Sequence, residues 1–257
     1  MTKRKRKRSR PLRRFIGLLL IVLLLLVMAV PLMEAPDSNP YTAEDFAWQD
    51  GRMQYLNGEA LHGIDVSYYQ QTVDWEQVKA SGIDFVFVRV GYRSTSDGTI
   101  YPDEMAEKNL AGAKEAGLKV GAYFFSQALN AAEALEEAHF ALSMVKDYTL
   151  DLPLAYDWEF YSKEARTNNM DGETLMNCIQ AFCTAVELAG HDSMVYFNRD
   201  LSQRMLDVER LGSRSIWVAM FDSYPDAPCR PDYWQYSDEG SVPGIDGPVD
   251  LNLYFPE

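Results

Sequence analysis

The chain has 257 residues, with 24 Lys or Arg against 38 Asp or Glu, for a net charge of -14. Nine of the basic residues fall within the first 14 positions, so the remainder carries 15 basic and 38 acidic side chains, net -23. A body that acidic is excluded as a nucleic-acid binder, because it would repel every phosphate it approached.

Residues 1–14 read as a basic cytoplasmic segment, and residues 15–33 form a 19-residue run with no charged side chain. As a helix rising 1.5 Å per residue, that run covers about 28 Å, close to the roughly 30 Å hydrocarbon core of a bilayer. It is expected to be a single-pass transmembrane anchor in the lipid bilayer. The basic block orients it with the N-terminus inside and everything after Glu34 outside. A cleaved secretory signal is the competing reading and would give a secreted form. The run is longer than a signal's apolar core, however, and Met28-Ala-Val30 is an imperfect cleavage site. Residues 34–61 are polar and mixed, and read as an extracytoplasmic stalk with a short helix over 44–56.

From residue 62 the hydrophobic period alternates between 2 and 3.6. Strands are predicted at 63–67, 83–90, 118–125, 152–157 and 194–197. Helical patterns follow them at 75–80, 103–116, 131–146, 172–189 and, broken, 202–211. Gly117 and Gly190 stand where two of these helices stop. Further strands are expected at 215–221, 232–236 and 248–252. Strand and helix in alternation mean βα units on a parallel sheet. Five such units plus three strands point to an α/β barrel smaller than the regular eight-fold one, spanning 62–257. An open doubly wound sheet is the alternative, weakened by the missing Gly-x-Gly-x-x-Gly turn.

Cys178 and Cys183 lie five apart on one predicted helix, a poor spacing for a disulfide, which leaves a bridge to Cys229 open. The three histidines, His62, His139 and His191, are scattered. Neither a metal cluster nor a Ser-His-Asp arrangement is expected, and no cofactor is implied.

Leu152-Pro-Leu-Ala-Tyr-Asp-Trp-Glu-Phe160 carries the chemistry. Side chains alternate along a strand, so Asp157 and Glu159 face one way and Trp158 the other, toward a flanking helix. Two carboxylates side by side split their pKa values, one holding a proton while the other ionises, as acid-catalysed cleavage of a glycosidic bond requires. The structural alternative is a strand-end acid capping the next helix beside a salt-bridged partner. Other predicted strands also end in polar groups: Asp65, Arg89, Tyr123, Asn198, Asp222, Gln235 and Asp250. In a β/α barrel, such ends gather at one rim. Aromatic residues accompany them (Tyr68, Tyr69, Tyr92, Tyr123, Trp158, Trp217, Tyr233, Trp234 and Tyr236). Rings beside carboxylates suit sugars, although many of these rings serve a core equally well.

The ordered series His62-Gly-Ile-Asp-Val-Ser-Tyr-Tyr-Gln70, Phe87-Val-Arg-Val-Gly-Tyr92, Asn109-Leu-Ala-Gly-Ala-Lys-Glu-Ala-Gly-Leu-Lys-Val-Gly-Ala-Tyr-Phe-Phe-Ser126, Leu154-Ala-Tyr-Asp-Trp-Glu159, Ile216-Trp-Val-Ala219, Trp234-Gln-Tyr-Ser237 and Gly247-Pro-Val-Asp-Leu-Asn252 resembles the glycoside hydrolase family 25 lysozymes. The resemblance covers residues 62–255. It implies an irregular TIM-like (βα)5β3 barrel that cleaves the β-1,4 bond from N-acetylmuramic acid to N-acetylglucosamine in bacterial peptidoglycan. Position by position, it implies Glu159 as general acid, with its pKa raised by like charges. Asp157 would be the ionised partner that supports a substrate-assisted or covalent intermediate, and Asp65 and Asp250 the remaining catalytic acids. Tyr92, Tyr123, Asn198, Trp217 and Gln235 are the substrate-binding candidates. The expected partners are peptidoglycan glycan strands, the barrel is expected to be monomeric, and the anchor would hold it outside the bacterial cell membrane. The chain departs from the family pattern over Tyr101-Pro-Asp-Glu-Met-Ala-Glu-Lys-Asn109 and at Phe221, where a Tyr is frequent. Hydrolysis of another β-linked amino-sugar polymer, or a non-catalytic wall-binding barrel, are the alternatives.

Overall fold

The computed structural model describes residues 35–256, and in it eight strands close on one another. A hairpin of β1 (Phe46–Gln49) and β2 (Arg52–Tyr55) precedes them. The barrel then begins with β3 (Leu61–Val66), α1 (Trp75–Ala80) and β4 (Phe85–Arg93). Next come a short β5 (Ile100–Pro102), α2 (Ala106–Glu115), β6 (Lys119–Ser126) and α3 (Ala131–Val145). β7 (Leu154–Trp158), α4 (Gly172–Leu188), β8 (Ser193–Asn198) and α5 (Arg199–Arg204) complete the βα units. β9 (Ser215–Ala219), β10 (Tyr233–Gly240) and β11 (Val249–Tyr254) follow.

Strands β3, β4, β6, β7, β8, β9 and β10 are parallel neighbours in that order. β11 closes the ring antiparallel to both β10 and β3, and β5 hangs antiparallel on β4. Closure through β3, β4 and β11 rules out the open sheet. Because β11 runs backwards, its first residues lie at the rim where the parallel strands end.

The period-2 pattern divides the core into two layers. Phe85, Phe87, Ala155, Met194, Trp217 and Tyr233 fill the barrel interior. Val86, Val88, Val120, Leu154, Tyr156 and Trp158 face outward, where Leu175, Ile179, Phe182 and Val186 of α4 cover that side. Trp158 therefore lies opposite the acid pair, as its position predicted. The interior is crowded enough that a Cβ on Gly63 or Gly121 would overlap the ring of Phe85 or Phe87, so only glycine fits there. Asp74, Asn130 and Asp171 start α1, α3 and α4 by accepting the backbone N–H of Gln77, Glu133 and Thr174.

Several boundaries differ from expectation. The helix expected over 44–56 is the β1–β2 hairpin, turned by Asp50 (φ 51°) and Gly51 (φ 78°). An Asp-Gly pair between strands is a strong hairpin signal, and it outweighs the weak helical pattern there. This segment is not a free stalk. Phe46 packs on Trp234 with ring centroids 4.9 Å apart, and Asn39 Nδ2 donates to Pro225 O at 2.7 Å. The helix expected from 103 begins at Ala106, with Asp103 just before it accepting from the Met105 N–H and from Arg89 Nε. The broken helix at 202–211 is α5 plus a 3-10 turn at Val208–Leu211. Cys178, Cys183 and Cys229 are each buried and free, so the bridge to Cys229 is not formed. The anchor expected at 15–33 lies outside the described residues. Among the described residues, no helix is long and apolar enough to cross a membrane.

Candidate active site

Strand alternation brings the acids together. Asp65 on β3 stands in register with Asp250 on β11, and Asp157 near the end of β7 is in register with Tyr196 of β8. Glu159 follows one residue beyond β7. Asp65, Asp157, Glu159 and Asp250 all line one groove of about 780 Å3 at the rim, joined there by Asp238.

Asp65 is buried and heavily supported. Its Oδ2 accepts from Gln235 Nε2 at 2.9 Å and from Asn252 Nδ2 at 2.8 Å. Burial raises its pKa, and these donors, together with a hydrogen bond from Asp250, pull it back down. Asp250 is pushed up to about 10, first by burial and then by the Asp65 charge, so one proton sits between the two carboxyls. The two carboxyls titrate as a pair, each raised above its ordinary value.

Burial, opposed by the Asn198 hydrogen bond and reinforced by the Asp65 charge, pushes Glu159 up to about 7. The leading cause is burial and not the like charge expected. Asn198 is well placed because it does two jobs. Its Oδ1 caps α5 by accepting from Leu201 N at 3.0 Å, which turns Nδ2 toward Glu159 Oε2 at 3.4 Å. Asp157 is pushed well above the usual carboxylate range by burial, then by the Glu159 and Asp65 charges, and only Arg89 opposes this. Its Oδ1 is buried with no hydrogen-bond partner among the described residues. In the structure without substrate, burial and the neighbouring charges disfavour the ionised form of Asp157.

The substrate-binding candidates separate by exposure. Tyr92 lines the groove and stacks on Tyr101, centroids 5.5 Å apart. Tyr123 lies in the floor, 9% exposed. Trp217 is 1% exposed, and its Nε1 donates to Asn252 Oδ1 at 2.8 Å. Gln235 accepts from the Tyr196 hydroxyl at 3.2 Å while donating to Asp65. Trp217 and Gln235 thus brace Asp65 from below. Asp222 is outside this set, paired with Arg199 at the surface.

Some residues that support or line the groove were missed from the sequence. Asn252 is two residues from Asp250 on β11 and shares its face, the same signal that singled out Asp157 with Glu159. Tyr196 stands in the same relation to Asn198. Phe125, two residues from Tyr123 on β6, carries the same signal, whereas Tyr101 on β5 and Tyr161 in a loop line the groove where no periodicity marks them.

The model of "Glycosyl hydrolases family 25" matches residues 64–245. The autolytic lysozyme of Clostridium acetobutylicum is 28% identical over 195 residues, covering 76% of this chain and 56% of that protein. Lysozyme M1 of Streptomyces globisporus is 27% identical over 206 residues, covering 76% of this chain and 67% of that protein. Among solved structures, the modular autolysin LytC of Streptococcus pneumoniae superposes with a TM-score of 0.68 at 26% identity, over 82% of this chain and 52% of that one. The chain thus spans little more than half the length of the Clostridium relative and of LytC. With the family pattern running through well over half of its residues, on a closed barrel with an acidic rim, the chain belongs to glycosyl hydrolases family 25.

Proposed function

We propose that this protein is a peptidoglycan hydrolase that cleaves the β-1,4 bond between N-acetylmuramic acid and N-acetylglucosamine. The observation that carries this reading is the groove with four clustered carboxyls, in which Glu159 is pushed up to about 7. Glu159 is the general acid: at neutral pH it keeps a proton for the leaving glycosidic oxygen. Asp65 and Asp250, sharing one proton, hold the charge around it. The names of the Clostridium and Streptomyces relatives, both lysozymes, support the same substrate class.

Asp157 serves the 2-acetamido group. Its bare Oδ1 is a slot for an N–H donor. An acetamido N–H placed there, with the Arg89 charge nearby, favours the ionised form that supports an oxazolinium. A thiazoline mimic of that intermediate is then a competitive inhibitor. A glycosyl group trapped covalently on Asp157 would overturn this assignment in favour of the covalent route.

The test of the whole reading is digestion of purified peptidoglycan, with identification of the new reducing ends. Ends at N-acetylmuramic acid support it. Ends at N-acetylglucosamine, or no cleavage, overturn it, and the latter together with retained binding favours the non-catalytic barrel. Residues 15–33 are proposed as the anchor that holds this activity on the outer side of the bacterial membrane, where the cell's own wall is the nearest substrate.

A further inference from the structure

Two arginines line the acidic groove among the described residues, and they are used very differently. Arg93 is spent on the fold. Its Nε donates to Glu137 at 2.7 Å, Nη1 to Gly98 O at 2.8 Å, and Nη2 to Glu133 O and the Glu136 carboxylate at 2.9 and 3.1 Å. Arg89, on β4 beside Tyr123 of β6, is held among the described residues by one hydrogen bond, from Nε to Asp103 Oδ2 at 2.9 Å. Asp103 is itself fixed, accepting from the backbone N–H of Tyr68 and of Met105. The guanidinium is therefore firmly aimed. It lies 5.3 to 5.5 Å from the ring centroids of Tyr68, Tyr69 and Tyr92. Its Nη2 is buried without an acceptor among the described residues.

A charged donor left buried and unmatched is costly, and an acceptor oxygen brought by a ligand removes that cost. Apart from the two arginines, the ionisable side chains lining the groove are acids and tyrosines, none of which offers a cation to an anion. A negatively charged substituent can be accepted only where a cation has donors to spare. Tyr69 is 65% exposed, so its ring can swing off Arg89 without unpacking the core.

We propose that Arg89 is the groove's receptor for a carboxylate carried by the muramyl residue of the glycan, and so selects that sugar over unsubstituted N-acetylglucosamine. This rests on the peptidoglycan reading above and deepens it. Two sources offer the same chemistry: the free lactyl carboxylate of a glycan stripped of peptide, and a carboxylate on an attached stem peptide. A guanidinium meets either through parallel N–H donors, and Nη2 supplies the one not already engaged.

The experiment compares the full chain with its Arg89→Met and Arg89→Lys variants on three muramyl glycans of equal length. One has free lactyl carboxylates, one has them capped as methylamides, and one carries a stem peptide with a free carboxylate. The readout is the kcat/KM ratio of each charged glycan to the capped one. Any effect of Arg89 on the titration of the groove acids alters all three alike and cancels. The expected wild-type ratio for one charged glycan is roughly tenfold or more, the size of a charge-assisted hydrogen bond, expressed in KM. Arg89→Met brings the ratio to about one, and Arg89→Lys keeps part of it. The charged glycan that is preferred identifies the source. A wild-type ratio near one, or a ratio that Arg89→Met leaves unchanged, overturns the inference. If Arg89→Met does not fold, the wild-type ratio and the Lys variant decide. If none of the three glycans is cleaved, the hydrolase reading fails instead. Titration of Glu159→Gln protein with N-acetylmuramic acid against its methylamide then still decides Arg89, with preference for the free acid expected and equal binding overturning it.

Discussion

Glu159 and Asp65 are linked by charge, which makes the proposed acid open to measurement. With Glu159 pushed up to about 7, kcat/KM for peptidoglycan is expected to fall as pH rises through about 7, where the proton to be donated is lost. Asp65→Asn removes the neighbouring charge that adds to the raising of Glu159 by burial, so the alkaline limb of that profile moves to lower pH; an unmoved limb would show that the two are not coupled. Glu159→Gln is expected to reduce cleavage by about 10^2- to 10^4-fold, read as reducing ends released. The same substitution has a stability signature. Unfolded, Glu159 loses its proton near its ordinary value of 4.5, whereas folded it keeps the proton to about 7. The folded state therefore binds more protons between those values, and its stability declines as pH rises across that window. Glu159→Gln should melt with the wild type near pH 4 and above it at pH 8.5.

Strands and the hairpin decide which residues meet. β11 runs against its neighbours, so Asp250, near its start, reaches the rim that the other strands reach at their ends, with Asn252 buried beneath it. Asn252 then links Trp217 to Asp65, which ties the floor of β9 to the acid on β3. The β1–β2 hairpin lies outside the span of the family match, yet Phe46 is buried against Trp234 and Phe255. Phe46→Ala is expected to destabilise the barrel by about 3 kcal/mol, in the range of large core truncations, as read by denaturant unfolding. A change below about 0.5 kcal/mol would mean that the hairpin is only loosely attached.

Across the whole chain, a strongly acidic body follows a short basic block and a charge-free run of membrane-spanning length. If residues 15–33 anchor the protein, the full chain sediments with membranes and resists extraction by high salt, while a chain beginning at residue 35 is released and still cleaves peptidoglycan. Recovery of the full chain in the soluble fraction, shortened at its N-terminus, would identify a cleaved signal instead. A chain beginning at residue 61 lacks the hairpin as well, and should melt several degrees lower, since each kcal/mol shifts the midpoint by roughly 2 to 4 °C at this size.

The order of strands and helices, the acid pair on one strand face and the family motifs were legible in the sequence, because periodicity and short spacings are local properties of a chain. Asp157 with Glu159 needed only the alternation of a strand. What the tertiary structure decided depends on neighbours distant in sequence. Closure of the sheet puts Asp65 opposite Asp250, 185 positions away, so that they share a proton. Burial, which no spacing reveals, leads the shift of Glu159 and raises Asp157 as well. Trp217 and Gln235 line the groove as their strand-end positions suggested, and packing also bonds them to Asn252 and to Asp65, partners that no spacing reveals. Arg89 was one polar strand end among several, and only the contrast with the fully engaged Arg93 shows that it has a donor to spare.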